Sequence, residues 1–233
     1  SKKSLLSFFK NNYVPSNTVI SIVGNIEHNK IVDDISKNFY NYTGSNKEFS
    51  PISTPELNKG LRINITKKNT EQIHLNMGFP GINYLDDKKY SLSILSVILG
   101  ETMGSRLFEE IRESRGLAYG ISSNVQYFSD TGSIIIDSAV EPKNIEETIK
   151  VIENEIEKIK ENVTEEEVEK AKRYTVGKMN MRLEDTMSVT NFLSFQEIIS
   201  GKIQTIEEIT KNINKVTKFN VEKVANDFFL KSR

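Results

Sequence analysis

The densest run of chemistry-bearing residues is Gly104-Ser105-Arg106-Leu107-Phe108-Glu109-Glu110-Ile111-Arg112-Glu113-Ser114-Arg115-Gly116-Leu117-Ala118-Tyr119. Arg112 falls in the last turn of a predicted helix, and Tyr119 falls early in the strand that follows. Gly116 between them permits a left-handed residue, hence a sharp reversal that can bring the guanidinium and the phenol together. Such a pair offers N–H and O–H donors to a carboxylate or to backbone carbonyls. The same residues also fit a plain solvated helix end, with Glu109, Arg112 and Glu113 as surface neighbours. Spacing alone therefore defines no site.

Other chemistry is sparse. The chain has two His and no Cys, which removes disulfides, thiol nucleophiles and Cys-ligated metal together. His28 reads as the start of an exposed helix, and His74 reads as the polar face of a strand. Neither has a Glu or a second His at the third or fourth position after it, so the HxxEH arrangement of a helical zinc site is missing. Ser nucleophiles lack an evident base, and the turn from Gly100 to Gly104 has no phosphate-loop spacing. Glu165, Glu166, Glu167 and Glu169 crowd a predicted helix start, where carboxylates suit the macrodipole, and metal binding is the lesser alternative there. Met179, Met181 and Met187 are expected to fill core gaps.

The elements that must position these residues follow from periodicity. Leu5, Phe8 and Phe9 set a helical stripe that stops before Pro15; residues 18–23 are β-branched and end at Gly24-Asn25, which predicts a strand; Ile31, Val32, Ile35 and Phe39 resume helical spacing. Residues 41–60 are rich in Asn, Ser, Pro and Gly and read as a linker. Leu61, Ile63 and Ile65 alternate, as do Ile73, Leu75, Met77 and Phe79, which predicts a hairpin turning at Lys68-Asn69-Thr70. Helices are expected from Asp86 to Gly100 and from Ser105 to Arg115. Residues 117–128 and 133–140 form a second hairpin around Ser129-Asp130-Thr131-Gly132. Beyond Pro142 the pattern is wholly helical: Ile145, Ile149, Ile152, Ile156 and Ile159 are spaced 4, 3, 4, 3. Thr164 with Glu167, and Thr205 with Glu208, are capping boxes, Gly201 closes the helix between them, and Val221, Val224, Ala225 and Phe228 line the last helix. The fold class is α+β, an antiparallel sheet with helices packed on one face.

Composition narrows the functions. The 233 residues carry 31 Lys and Arg against 32 Asp and Glu, a formal charge of −1, so no overall field favours nucleic acid, and no apolar run approaches a membrane span. The expectation is a soluble, cytoplasmic chain. It opens on Ser1 rather than Met, which predicts a processed or trimmed piece of a longer protein. A weak internal repeat relates residues 217–230, with Phe228-Phe229, to residues 5–14, with Phe8-Phe9. By that analogy the second copy lacks the closing strand that residues 18–23 supply after the first.

Several ordered motifs resemble the pitrilysin and insulinase superfamily of zinc metallopeptidases, specifically the C-terminal, non-zinc half of a processing-peptidase-like member. They are Leu99-Gly100-Glu101-Thr102-Met103-Gly104-Ser105-Arg106-Leu107-Phe108, Ile111-Arg112-Glu113-Ser114-Arg115-Gly116-Leu117-Ala118-Tyr119, Thr131-Gly132 and the Glu-rich run from Thr164 to Lys172, with Gly78-Phe79-Pro80-Gly81 and the stretch from Tyr13 to Asn25 upstream. The resemblance implies a metalloprotease-half (LuxS/peptidase-like) architecture, with residues 1–45 as the tail of a preceding zinc-bearing domain, 46–60 as linker and 61–233 as the peptidase C-terminal domain. In that family two similar halves close around a peptide, the first carrying zinc. By resemblance Arg112 and Tyr119 are substrate-binding residues; no catalytic or metal residue and no cofactor is expected in this chain itself. The implied partners are the N-terminal zinc-bearing half and a peptide substrate, with a strand-exchanged homodimer as a further expectation and no nucleic acid or membrane. The alternative is a non-catalytic member acting as a partner or structural subunit.

Overall fold

The computed structural model describes residues 1–44 and 60–229; the expected linker at 46–60 lies outside them except for Gly60. Two compact units divide the described chain. One holds residues 1–44 with 180–203, and the other holds residues 60–179 and 204–229.

The second unit is built on a three-stranded antiparallel sheet of β1 (Ile73–Pro80), β2 (Ala118–Tyr127) and β3 (Gly132–Val140), in the order β1-β3-β2. The β2–β3 hairpin forms as the Asp130-Thr131-Gly132 turn predicts, with Tyr127 opposite Gly132. Along β3 the alternation is clean: Ile134, Ile136 and Val140 are buried, while Ser133, Ile135, Asp137 and Ala139 face outward and are half-buried. Strands with one covered and one wet face show this period of two. On the open face Asp137 accepts hydrogen bonds from Ser122 Oγ at 2.8 Å and Asn124 Nδ2 at 3.3 Å.

Helices cover the other face. α3 (Lys89–Ser96) buries Leu92, Ile94 and Leu95 against β2 and the last helix, then widens into a π-helical turn, Val97–Glu101. Gly100 in that turn lies so near β2 that a Cβ there would stand 2.7 Å from the Ser123 nitrogen. A second π-helical segment, Phe108–Ser114, buries Ile111. α4 (Ile145–Ile159) realises the 4, 3, 4, 3 spacing by burying Ile152, Ile156 and Ile159. α5 (Glu165–Arg182), α7 (Ile206–Asn214) and α8 (Lys218–Phe228) follow, while α6 (Thr186–Ser200) falls in the first unit. Both expected capping boxes are present, and a third, Thr217 with Asn220, starts α8. Gly201 ends α6 at φ 60°. α8 buries Val221, Val224 and Ala225, and the ring of Phe229 just beyond it meets Phe79 of β1 edge-on at 4.8 Å.

Three expectations need correction. Residues 61–70 have no sheet partner, so the hairpin turning at Lys68-Asn69-Thr70 does not form, and Leu61, Ile63 and Ile65 are exposed. Alternation marks a segment that can pair a strand edge, and it does not decide whether the pairing forms. Residues 18–23 have no strand partner among the described residues, so the strand expected there does not form. Met181 and Met187 are exposed and fill no core gap.

The first unit contains the expected helices, α1 (Lys2–Asn12) and α2 (His28–Asn38), but neither buries a residue. Up to residue 44 only Val14 is buried, and Leu5, Phe8, Phe9, Ile20, Ile22 and Phe39 are exposed. The helical spacing is correct in each case, but periodicity marks a face as apolar without saying what covers it.

Candidate functional site

Arg112 and Tyr119 reach each other through three local features. The first is the π-helical winding of Phe108–Ser114, which carries one residue more per turn than an α-helix and changes where the side chains of its last turn project. The second is the stop. Gly116 sits at φ 60°, its N–H bonds the Arg112 carbonyl at 3.2 Å, and the Leu117 N–H bonds the Ile111 carbonyl at 2.8 Å. A left-handed residue of this kind ends the helix and turns the chain at once into β2. The third is a register shift between Ala118 and Gly120, opposite Val140 and Ala139 of β3. Tyr119 is the extra residue of that bulge, and a bulge re-aims the side chain it carries.

The result is a clamp. The Arg112 guanidinium carbon lies 4.7 Å from the centroid of the Phe108 ring and 5.3 Å from that of Tyr119. Planar guanidinium groups stack on aromatic faces, which leaves the N–H edge directed away from the rings. Glu113 is the charged neighbour, with Oε1 3.7 Å from Nε, beyond hydrogen-bonding distance. The Arg112 side chain is 38% exposed and Tyr119 is 79% exposed. A cation held by rings, with its donors unspent and beside an exposed phenol, can grip a carboxylate or a peptide carbonyl from solvent.

Phe108 is the member that sequence reasoning missed. It stands four residues before Arg112, a spacing that places two side chains on one helical face. The neighbouring Arg106 is occupied elsewhere. Its Nε and Nη2 bond the two Glu167 oxygens at 2.7 and 2.9 Å, and Nη1 and Nη2 bond Asn162 Oδ1 and O at 2.7 and 3.0 Å. Glu167 also accepts from the Thr164 N–H at 2.8 Å. Partial burial pushes the Glu167 carboxyl up, but the bonds from Arg106 and Thr164 outweigh it and hold its pKa below the usual carboxylate value. Glu167 is thereby committed to joining the start of α5 to the segment before Arg112. Among the described residues no group of three or more His, Asp or Glu is placed to hold a metal ion. His28 begins α2, and His74 lies exposed on β1 opposite Ala139. No helix among the described residues is long and apolar enough to cross a membrane.

The fold is α+β, an antiparallel sheet with helices on one face, and among its described residues no group is placed to hold a metal ion. The chain belongs to the peptidase M16 inactive domain family, whose profile matches residues 1–175. A protein described as an uncharacterised zinc protease of Streptomyces coelicolor is 29% identical over 229 residues, covering 94% of this chain and 49% of the relative. Another so described, YmxG of Bacillus subtilis, is 30% identical over 227 residues, 97% of this chain and 54% of the relative. The chain thus spans about half the length of these curated relatives. Among solved structures, a protease from Helicobacter pylori superposes with a TM-score of 0.90 at 20% identity, over 100% of this chain and 57% of the other. The peptidase M16 inactive domain from Pseudomonas fluorescens gives 0.88 at 23%, over 100% and 55%. A chain of Complex III2 from Candida albicans gives 0.86 at 19%, over 98% and 56%. At these identities the structural likeness speaks for the fold.

Proposed function

We propose that this chain is the substrate-contacting C-terminal half of a zinc-dependent peptidase, forming one wall of a peptide-enclosing chamber and inactive alone. The observation that carries the proposal is the Arg112 clamp, a guanidinium over the rings of Phe108 and Tyr119 with no side-chain hydrogen bond among the described residues. Arg112 and Tyr119 donate to a backbone carbonyl of the bound peptide and stabilise negative charge that develops on it. The described residues do not fit a zinc site, so zinc belongs to the remaining half, in keeping with relatives described as zinc proteases. Residues 1–45 are the tail of that preceding half and 46–60 the linker, with 61–233 the peptidase domain proper. Support comes from the first 44 residues, which bury Val14 alone while exposing Leu5, Phe8, Phe9 and Ile20.

A non-catalytic subunit is the second reading, favoured by the absence of a metal-ligating group among the described residues. One experiment separates the two: incubate this chain with a quenched peptide library, alone and with the zinc-bearing half made separately. Cleavage that appears only on mixing supports the peptidase. Association of the halves without cleavage, with zinc loaded, supports the partner.

A further inference from the structure

We infer that Ser138 and Asn144 are positioning residues that hold Tyr119 in place beside Arg112. Tyr119 is 79% exposed, so its ring has little packing to hold it and takes its direction from the backbone that carries it. That backbone is the irregular part of β2. The register shift between Ala118 and Gly120 interrupts the regular pairing with β3, and a bulged chain needs other bonds to keep one geometry. Side chains supply two, one on each side of Tyr119. Two residues before it, the Leu117 carbonyl accepts from Asn144 Nδ2 at 3.3 Å; one residue after it, the Gly120 carbonyl accepts from Ser138 Oγ at 2.8 Å.

Each donor is unusual for its place. Ser138 lies on the helix-covered face of β3 in the row of Ile134, Ile136 and Val140, and it is buried. A hydroxyl among such residues costs free energy unless it is bonded. Its register partner on β2 is Ile121, whose side chain offers no polar atom, and the bond goes one residue over, to Gly120. Asn144 occupies the N-cap position of α4, where asparagine ordinarily accepts from an N–H of the first turn. Its side chain makes no such bond. The amide is turned instead to the chain that leads into Tyr119, and the Asn144 backbone is itself tied down. Its N–H bonds the Glu141 carbonyl at 2.9 Å, and its carbonyl accepts from Oγ1 of the buried Thr148 at 2.9 Å.

Leu117 is therefore bonded in two directions, through its N–H to Ile111 in the segment that carries Arg112 and through its carbonyl to the start of α4. Ser138 fixes the other side of the bulge. On the reading of Arg112 and Tyr119 as the peptide-gripping pair, on which the kinetic consequence rests, Ser138 and Asn144 act on the reaction through Tyr119.

The test reads Tyr119 directly. The chain has eight Tyr and no Trp, so labelling with fluorotyrosine gives a small set of fluorine NMR lines, and the one lost in Tyr119→Phe is that of Tyr119. Ser138→Ala and Asn144→Asp, the second keeping the side-chain shape while removing its N–H donor, should each move the Tyr119 line toward its position in Arg112→Lys. Ser138→Thr, which restores the hydroxyl, should return it. Asn226→Ala removes similar bonds, to the Lys160 and Glu222 carbonyls, and should leave the line in place. In the full-length parent Ser138→Ala and Asn144→Asp should lower kcat by up to about 10-fold, the loss expected of Tyr119→Phe, with KM within about twofold. A Tyr119 line that neither variant moves more than Asn226→Ala does, or a general shift of all the lines, would overturn the assignment. A moved Tyr119 line with unchanged kcat would uphold the positioning and refute the peptidase role of the pair, so the two failures are distinct.

Discussion

Arg112→Lys keeps the charge of the candidate site and removes its geometry. A lysine ammonium is a compact point charge on a flexible stem and cannot lie flat between Phe108 and Tyr119 as the guanidinium does. The loss can be worked from the clamp. Each exposed cation–π contact is worth about 0.5–1 kcal/mol, so two of them give ~1–2 kcal/mol of positioning. Loss of a preorganised donor to a developing oxyanion costs about 10²–10³ in kcat. On the peptidase proposal, Arg112→Lys is therefore expected to lower kcat of the full-length parent about 10²-fold, and Arg112→Ala by at least as much. Phe108→Leu removes one ring and keeps the guanidinium, so it should cost roughly 3- to 5-fold, in line with a single stacking contact. The assay is cleavage of an internally quenched peptide, with thermal unfolding measured alongside. The two ring contacts belong to the folded state, so Arg112→Ala should lower stability by no more than about 1–2 kcal/mol and Arg112→Lys by less. If Arg112→Lys matches wild type, or if Phe108→Leu costs as much as Arg112→Ala, the clamp has been misread.

Other outcomes follow from the same coordinates. Tyr119→Phe deletes only an exposed hydroxyl, so it should lower kcat about 10-fold if the phenol donates to the peptide, with an unchanged melting temperature. Gly100→Ala drives a methyl to 2.7 Å from the Ser123 nitrogen and should destabilise by about 1–3 kcal/mol in chemical denaturation. Glu167→Gln should cost about 2 kcal/mol by the same measurement, because it weakens the charge-assisted bonds to Arg106. Since Glu167 has a lowered pKa in the folded state, its contribution is fully present above the ordinary carboxylate value near 4.3 and disappears as pH falls through the folded value. Denaturation at pH 7 and in the acid range should show the wild-type advantage over Glu167→Gln shrinking with acid.

Much of the fold was legible because local signals agreed with it. The Asp130-Thr131-Gly132 turn, the isoleucines of α4 and the capping boxes at Thr164 and Thr205 each report a local choice, and packing ratified them. The approach of Arg112 to Tyr119 was also legible, since Gly116 between a helix and a strand leaves few other paths. Two contributors were hidden. Leu107 and Ile111 stand four apart, a spacing an α-helix also gives, so the π-winding leaves no mark in the apolar pattern, and the bulge at Tyr119 depends on what β3 places opposite it. The failed hairpin at residues 61–67 and the bare face of α1 share a cause. Each sequence segment announces a surface it wants to bury, and only tertiary structure decides whether anything meets it.

The two rings flanking Arg112 bear on timing as well as place. A free arginine side chain carries about 2 kcal/mol of rotamer entropy, and a loose one surrenders it when a ligand arrives. Between Phe108 and Tyr119 that freedom is given up during folding, before any peptide is present. A ligand gripped there would meet a side chain already ordered in part, and less of its binding energy would go into ordering it.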